Sequence, residues 1–282
     1  MSIITFINKD IKETGQTLAA SAIASSLAIE HNYRILLIST DFNDKTLENS
    51  FFPIEGVKKS SFFSKQNLNI DISNGMEGLV RVFASNRASG NMIKSYTRPI
   101  LRDRLDILPG PKTTDYKTYL NMSNYFSQIA DVANSIYDTV IVDLSNKVTE
   151  ENQMKLLNIS NLVILGLTQN IQSILDFQGL KEEKDFYQKN NVILALEKYN
   201  PDSKYSSKNV ARYLSEKELP LTIPYNILFS DYCSEGKIID YLLSMQGLNS
   251  KDGKDGYFCE TLKKTADKID YKRQEQEYGI NS

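Results

Sequence analysis

The chain has 282 residues, 41% hydrophobic and 24% charged, and a formal net charge of -2. This is the make-up of an ordinary soluble globular protein able to bury a sizeable core, and it forces neither nucleic acid nor a membrane surface on it as partner. Two cysteines, Cys233 and Cys259, and one histidine, His31, exclude a disulfide framework and leave no material for a zinc cluster or a histidine-based triad. No leader-like segment and no run of the ~18 apolar residues of a membrane span is present, so the expected location is the cytoplasm.

In chain order, a first apolar run, Ile3 to Ile7, is followed by the polar stretch Asp10-Ile11-Lys12-Glu13-Thr14-Gly15-Gln16-Thr17 and then by small and apolar residues that predict a helix over about 16–30. A second run, 34–39, ends at Thr40-Asp41, and its continuous apolar character suits a strand buried on both faces. Residues 42–75 are weakly periodic and read as an irregular excursion. A helix is predicted over 76–86, a strand over 105–108 halted by Pro109-Gly110-Pro111, and one amphipathic helix over 115–135. The fourth run, 139–142, is closed by Asp143. A fifth, 162–167, leads into a helix to about 189, and a sixth, 192–196, ends at Glu197. A short helix near 207–214, a run over 219–223 meeting Pro224-Tyr225-Asn226, and helices over 231–244 and 257–272 follow. The polar tail from Tyr271 is expected to fray.

Strands alternating with helices, without repeats or low-complexity linkers, predict an α/β fold. It is a doubly wound, mostly parallel sheet with helices on both faces. The expected division is an α/β domain over residues 1–250 with a C-terminal helix and polar tail over 251–282. In such sheets ligands sit at the carboxyl ends of the strands, which makes the strand-end residues informative. Laid on the phosphate-loop pattern G-x-x-x-x-G-K-[ST], the first loop keeps Gly15 and Thr17 but has Asp10 for the first glycine and Gln16 for the lysine. A Mg²⁺-nucleotide needs backbone N–H groups and a helix N-terminus for phosphate, a hydroxyl on the metal, and carboxylates around its waters. Thr17 and Asp143 are therefore the candidate metal residues, and Asp41 the candidate catalytic group orienting an attacking water. Each also fits a plainer role, Thr17 as a helix cap and the two aspartates as caps of the turns after their strands.

The pattern resembles the ParA/MinD group of deviant P-loop ATPases over residues 3 to about 245. The resemblance is carried by the loop 10–17, by Leu36-Leu37-Ile38-Ser39-Thr40-Asp41, by Tyr137 to Asp143, by Leu105 to Gly110, by Leu167-Thr168-Gln169-Asn170, and by Ile223-Pro224-Tyr225-Asn226 with Ser234-Glu235-Gly236-Lys237. It implies a P-loop NTPase-like domain with ATP and Mg²⁺ as cofactors and a nucleotide-dependent homodimer. The implied cofactor-binding residues are Lys12, Glu13, Thr14, Gly15, Gln16, Thr17 and Leu18 in the loop, with Glu197, Pro224, Tyr225 and Asn226 around the base. Glu197 stands where members have an asparagine, suits adenine or guanine, and also fits a solvated loop residue. Members usually carry K-G-G-x-G-K-[ST] and D-x-D. Here Ile11 and Gln16 replace the two lysines and Ser39 the first aspartate, with Lys9 and Lys12 flanking the signature position.

A lysine–phosphate contact is a charge-assisted hydrogen bond worth roughly 1.5 to 3 kcal/mol, so its loss should cost about ten- to a hundredfold in affinity. Hydrolysis should suffer more, because transition-state stabilisation in phosphoryl transfer is largely electrostatic. Slow turnover or none is expected. Among the branches of the family, the tail is too mixed in charge and too poor in bulky apolar residues for a membrane-targeting helix. Lys58-Lys59 and Lys263-Lys264 read as solvated faces, so there is no strong nucleic-acid signal. Asp143-Leu144 is compatible with the localisation factors of Flp-type (Tad) pilus and secretion systems. Many of those carry a receiver-like domain, and none is expected here. The implied role is a spatial organiser with protein partners in a surface or secretion apparatus, which could recruit it to the membrane. A non-catalytic scaffold and a DNA-partition ATPase are the rivals.

Overall fold

Continuous apolar runs with no polar face can be satisfied only by burial on both sides, and they form the centre of the molecule. The computed structural model describes residues 1–8, 15–54, 75–86, 89–183, 185–189 and 191–278. The first half comprises β1 (Ser2–Asn8), α1 (Gln16–Glu30), β2 (Ile35–Ser39), α2 (Thr46–Phe51), α3 (Met76–Ala84), α4 (Gly90–Ile93), β3 (Arg98–Leu101), β4 (Leu105–Leu108), α5 (Tyr116–Ser123), α6 (Phe126–Asn134) and β5 (Thr139–Leu144). The second half comprises α7 (Glu150–Ile159), β6 (Leu162–Leu167), α8 (Ile171–Glu183), a 3-10 turn (Asp185–Gln188), β7 (Val192–Tyr199), α9 (Ser207–Tyr213), β8 (Leu221–Pro224), α10 (Ile227–Ser234), α11 (Ile238–Ser244) and α12 (Gly253–Tyr278).

The eight strands lie in the order β3, β4, β2, β5, β1, β6, β7, β8. Every pairing is parallel except β3 with β4. Side-chain alternation splits each strand between two cores. Ile3, Ile7, Leu36 and Val140 face α3 to α9, whereas Ile4, Phe6, Leu37 and Ile141 face α1, α2 and α10 to α12. This is the doubly wound, mostly parallel sheet that the sequence predicts. β1 sits in the middle, between β5 and β6, so its last residue, Asn8, lies at the centre of the carboxyl edge. α1 is rich in alanine and buried from Ala19 to Ala28, because α12, α11 and α2 cover the side turned away from the sheet.

Several local expectations change. The helix predicted over 115–135 is two, because Ser123 and Asn124 at the break turn their side-chain oxygens to Asn152 of α7, at 3.0 and 2.9 Å. The helix predicted over 231–244 is also two, divided at Gly236, whose φ of +72° fits the left-handed turn. A Cβ at Gly236 would lie 2.2 Å from the carbonyl carbon of Phe52, so α2 and α10 approach through this residue. The short helices α2 and α4, the edge strand β3 with Pro99, and α7, capped by Thr149, form where the sequence pattern shows no element. Most of the excursion at 55–74 lies outside the described residues.

The tail does not fray within the described residues: α12 continues to Tyr278. Its Arg273 guanidinium donates to Asp270 at 2.7 and 2.9 Å, buried beside Ser2 of β1. No described helix is long and apolar enough to cross a membrane.

Candidate functional site

The site is built where β1 and β5 end side by side, with Phe6 opposite Asp143 in the parallel register. Gly15, at φ +94°, is the N-cap of α1 and turns the chain into the helix, a conformation that an L side chain adopts only under strain. The next residue, Gln16, stands in the lysine position, and its amide nitrogen points toward the sheet. It donates to Asp143 Oδ1 at 2.6 Å, to the Leu144 carbonyl at 3.1 Å and to the Phe6 carbonyl at 3.3 Å. Thr17 Oγ1 donates to Asp143 Oδ2 at 2.7 Å. Both carboxylate oxygens are thus engaged, and Asp143 is 3% exposed. Burial raises its pKa from 3.8 to about 6, against the Thr17 and Gln16 hydrogen bonds that favour the charged form, with Asp41 and Asp44 adding to the rise.

Asp41 is carried at the end of β2 and held from three directions. Its Oδ1 accepts from the Phe42 amide at 2.7 Å, from Ser145 Oγ at 2.9 Å and from Lys147 Nζ at 2.9 Å. Thr40 ties the two strand ends together. Its hydroxyl donates to the Asp143 carbonyl at 3.1 Å and accepts from the Ser145 amide at 2.8 Å. Gly110 of the Pro-Gly-Pro turn lies so close that a Cβ there would stand 2.6 Å from the Asp41 carbonyl oxygen. A carboxylate bound this way is fixed in orientation, with one oxygen already taken by a cation.

On the other side of the loop, Gly15 and Leu18 line a small cleft with Lys198, Pro224, Tyr225 and Asn226. The half-exposed Tyr225 ring is at its mouth. Asn226 caps α10, accepting from the Phe229 amide at 2.8 Å, and donates to Asp255 at 2.7 Å, so its side chain is engaged within the fold. Glu197 belongs to β7 instead of a loop. It is 1% exposed, accepts from Asn8 Nδ2 at 3.0 Å, and occupies the space that the missing side chain of Gly166 leaves open. It does not line the cleft, and its burial in a strand does not fit a solvated loop residue. Lys12, Glu13 and Thr14 lie outside the described residues. A roomier hollow of about 340 Å³, lined by Lys181, Lys189, Glu216 and Lys272 among others, is at the amino ends of β7 and β8 and faces none of these groups.

The structure therefore brings Gly15, Gln16, Thr17, Asp143 and Asp41 to one strand-end site and sets Leu18, Pro224 and Tyr225 beside it. Residues that the sequence reading does not single out are Asn8, Thr40, Ser145, Lys147 and Lys198. Their signal is positional only: each follows or ends a strand at the carboxyl edge. The hydroxyl of Thr17 beside the Asp143 carboxylate is an oxygen pair of the kind that Mg²⁺ takes with waters and phosphate oxygens. Among the described residues no cluster of three or more His, Cys, Asp and Glu side chains could form an all-protein metal cage.

No protein-family model matches the sequence, and no curated protein is similar to it by sequence. Solved structures are similar in fold. A ParA family ATPase from Chlorobium tepidum TLS superposes with a TM-score of 0.69 at 16% identity, over 94% of this chain and 98% of that one. The septum site-determining protein MinD of Pyrococcus horikoshii OT3, complexed with Mg-ADP, gives 0.64 at 15% identity, over 95% and 96%. A protein of Borrelia burgdorferi B31 assigned to plasmid partition and bound to AMPPNP gives 0.61 at 16% identity, over 95% and 99%. At these identities the likeness is one of fold: the chain has the P-loop NTPase-like architecture of the ParA/MinD ATPases along nearly its whole length.

Proposed function

We propose that this chain is a ParA/MinD-like nucleotide-binding protein that takes ATP with Mg²⁺, hydrolyses it slowly or not at all, and acts as a nucleotide-dependent dimeric organiser of other proteins. The observation that carries the reading is the Thr17–Asp143 pair, joined at 2.7 Å directly after the loop of the central strand, with Gln16 beside it in place of a lysine. On this reading Thr17 and Asp143 hold the metal and its waters, the loop through Gly15 faces the phosphates, and Leu18, Pro224 and Tyr225 flank the base. The metal would supply charge neutralisation between phosphate oxygens. The replacement of both signature lysines, by Ile11 and Gln16, predicts weak transition-state stabilisation, and the Asp41–Lys147 pair has to reorganise before Asp41 can orient a water.

Two of the similar structures hold Mg-ADP or AMPPNP, which supports a nucleotide as the ligand class. Assembly or positioning of a surface or secretion apparatus is the most specific role compatible with the altered loop and with the Asp143-Leu144 pair. Calorimetric titration of ATP, then GTP, with Mg²⁺ tests the reading, with Thr17→Ala and Asp143→Ala as controls. Micromolar binding abolished by both changes is the expected result. No heat with either nucleotide, in protein shown to be folded, would overturn it.

A second reading, a scaffold that keeps the fold without the nucleotide, is favoured by one feature. The cleft between Gly15 and Tyr225 measures about 40 Å³, against the ~300 to 1,000 Å³ of ordinary ligand pockets. A DNA-partition role would instead show as salt-sensitive binding to nonspecific duplex DNA.

A further inference from the structure

A phosphate-binding loop with Ile11 and Gln16 at its two signature lysine positions must obtain that positive charge from other residues or do without it. Gln16 does not provide it, since its amide is neutral and is turned down to Asp143, Leu144 and Phe6. A lysine, however, lies against Gly15, the glycine that the loop keeps. A Cβ on Gly15 would stand 3.0 Å from Cε, 3.1 Å from Cγ and 3.5 Å from Cδ of Lys198, so the whole stem of that side chain runs along the glycine that opens α1.

Lys198 is brought there by an irregularity of the backbone. Between Leu196 and Tyr199, β7 spends three residue steps where β8 spends two, from Thr222 to Pro224. The extra residue makes a bulge, and bulges next to functional sites re-aim side chains. Lys198 itself has a φ of +48°, in the left-handed region that non-glycine residues seldom enter. Its neighbours Glu197 and Tyr199 are buried, whereas Lys198 is turned out to line the cleft with Gly15, Leu18 and Tyr225.

We infer that Lys198 supplies, from the bulge of β7, the positive charge toward the nucleotide's phosphate chain that the loop lacks at Gln16. This rests on the nucleotide-binding reading above and goes beyond it by assigning the charge to a strand on the far side of the loop. The same side chain lines the small cleft beside Gly15, from which it has to reach along the phosphates when the nucleotide binds.

The test is calorimetric titration of ATP with Mg²⁺ into the full chain as wild type, Lys198→Met, which keeps the stem and removes the charge, and Lys198→Arg, which keeps a charge. Thermal unfolding verifies the fold of each, and Lys198→Gln serves if the Met variant does not fold. The expected result is a loss of about ten- to a hundredfold in affinity for the Met variant, with Arg within about threefold of wild type. If the wild type binds and the Met variant binds equally well, the inference fails alone. If Met and Arg lose affinity equally, the effect is one of shape and the inference also fails. If folded wild type does not bind ATP, the nucleotide reading fails and takes this inference with it.

Discussion

Asp143 places an ionisable group in one of the driest parts of the sheet, and its titration is coupled to folding. Burial lifts its pKa from 3.8 to about 6, so the folded state prefers the neutral carboxyl. The stability this group contributes is complete below its unfolded pKa and is lost as pH rises through about 6. Two pKa units correspond to roughly 3 kcal/mol at 1.36 kcal/mol per unit. In metal-free buffer, the stability of the wild type relative to Asp143→Asn should therefore fall by up to about 3 kcal/mol between about pH 4 and pH 7. Urea denaturation at several pH values checks this, and parallel profiles for the two proteins would refute it. Gly15 makes a second residue-scale prediction. Gly15→Ala must accept φ +94°, at about 1 to 2 kcal/mol, and crowd Lys198. Denaturation should show a loss at the upper end of that range, smaller when Lys198→Ala removes the crowding, and additive losses would mean that the lysine stem does not press on the loop. Thr17, Asp41 and Asp143 can be picked out in the sequence because each lies at a fixed step after an apolar run. Lys147 and Lys198 cannot, since their importance comes from approach in space: one crosses from the end of β5 to β2, and the other from a bulge in β7 to α1.

At the scale of elements, α12 is clipped to the beginning of the chain. Arg273 is 5% exposed, held by Asp270 and by Glu277 at 3.1 Å, and Asp270 also receives Gln274 at 2.7 Å and Tyr33 at 3.3 Å. Removing one partner of a buried pair leaves the other charge uncompensated, at a cost of about 3 to 5 kcal/mol. Arg273→Ala should lose stability in that range by chemical denaturation, and Arg273→Ala with Asp270→Asn should recover part of it. A loss below ~1 kcal/mol would mean the pair behaves as an exposed one. This end of the chain is misleading in sequence because Asp270 and Arg273 look solvated one at a time, and only β1 and Tyr33 bury them as a polar pair. The strands are more legible. Seven of the eight coincide with short, mainly apolar runs, whereas β3 contains Pro99, pairs antiparallel at the edge and carries no such signal. The division of 115–135 is hidden for the same reason as the tail, since the partner of Ser123 and Asn124 is Asn152 on another helix.

Across the whole molecule, the strand order collects every candidate group at one edge and so makes the chemistry depend on very few charges. β1 at the centre delivers the loop, β2 and β5 deliver Asp41 and Asp143, and β7 and β8 deliver Lys198 and Tyr225. Phosphoryl transfer in such a site is catalysed mainly by positioning and by cations on the transferring group, and no lysine stands at position 16 of this loop. Gln16→Lys restores that charge but gives up three hydrogen bonds that anchor the helix start to Asp143, Leu144 and Phe6. On the nucleotide reading the gain should exceed the loss, because a single preorganised charge-stabilising group is worth about 10²–10³ in rate at a transition state, whereas an ordinary anchoring hydrogen bond contributes about 1 kcal/mol to stability. Gln16→Lys should raise ATP turnover by at least about tenfold over a slow or undetectable wild-type rate. It should also melt a few degrees lower in the absence of nucleotide. Phosphate release and a thermal scan on the same preparations measure both. A folded variant that binds ATP and turns over no faster would show that the missing charge at position 16 is not what limits hydrolysis, and on the nucleotide reading would leave the closed Asp41–Lys147 ion pair as the limit.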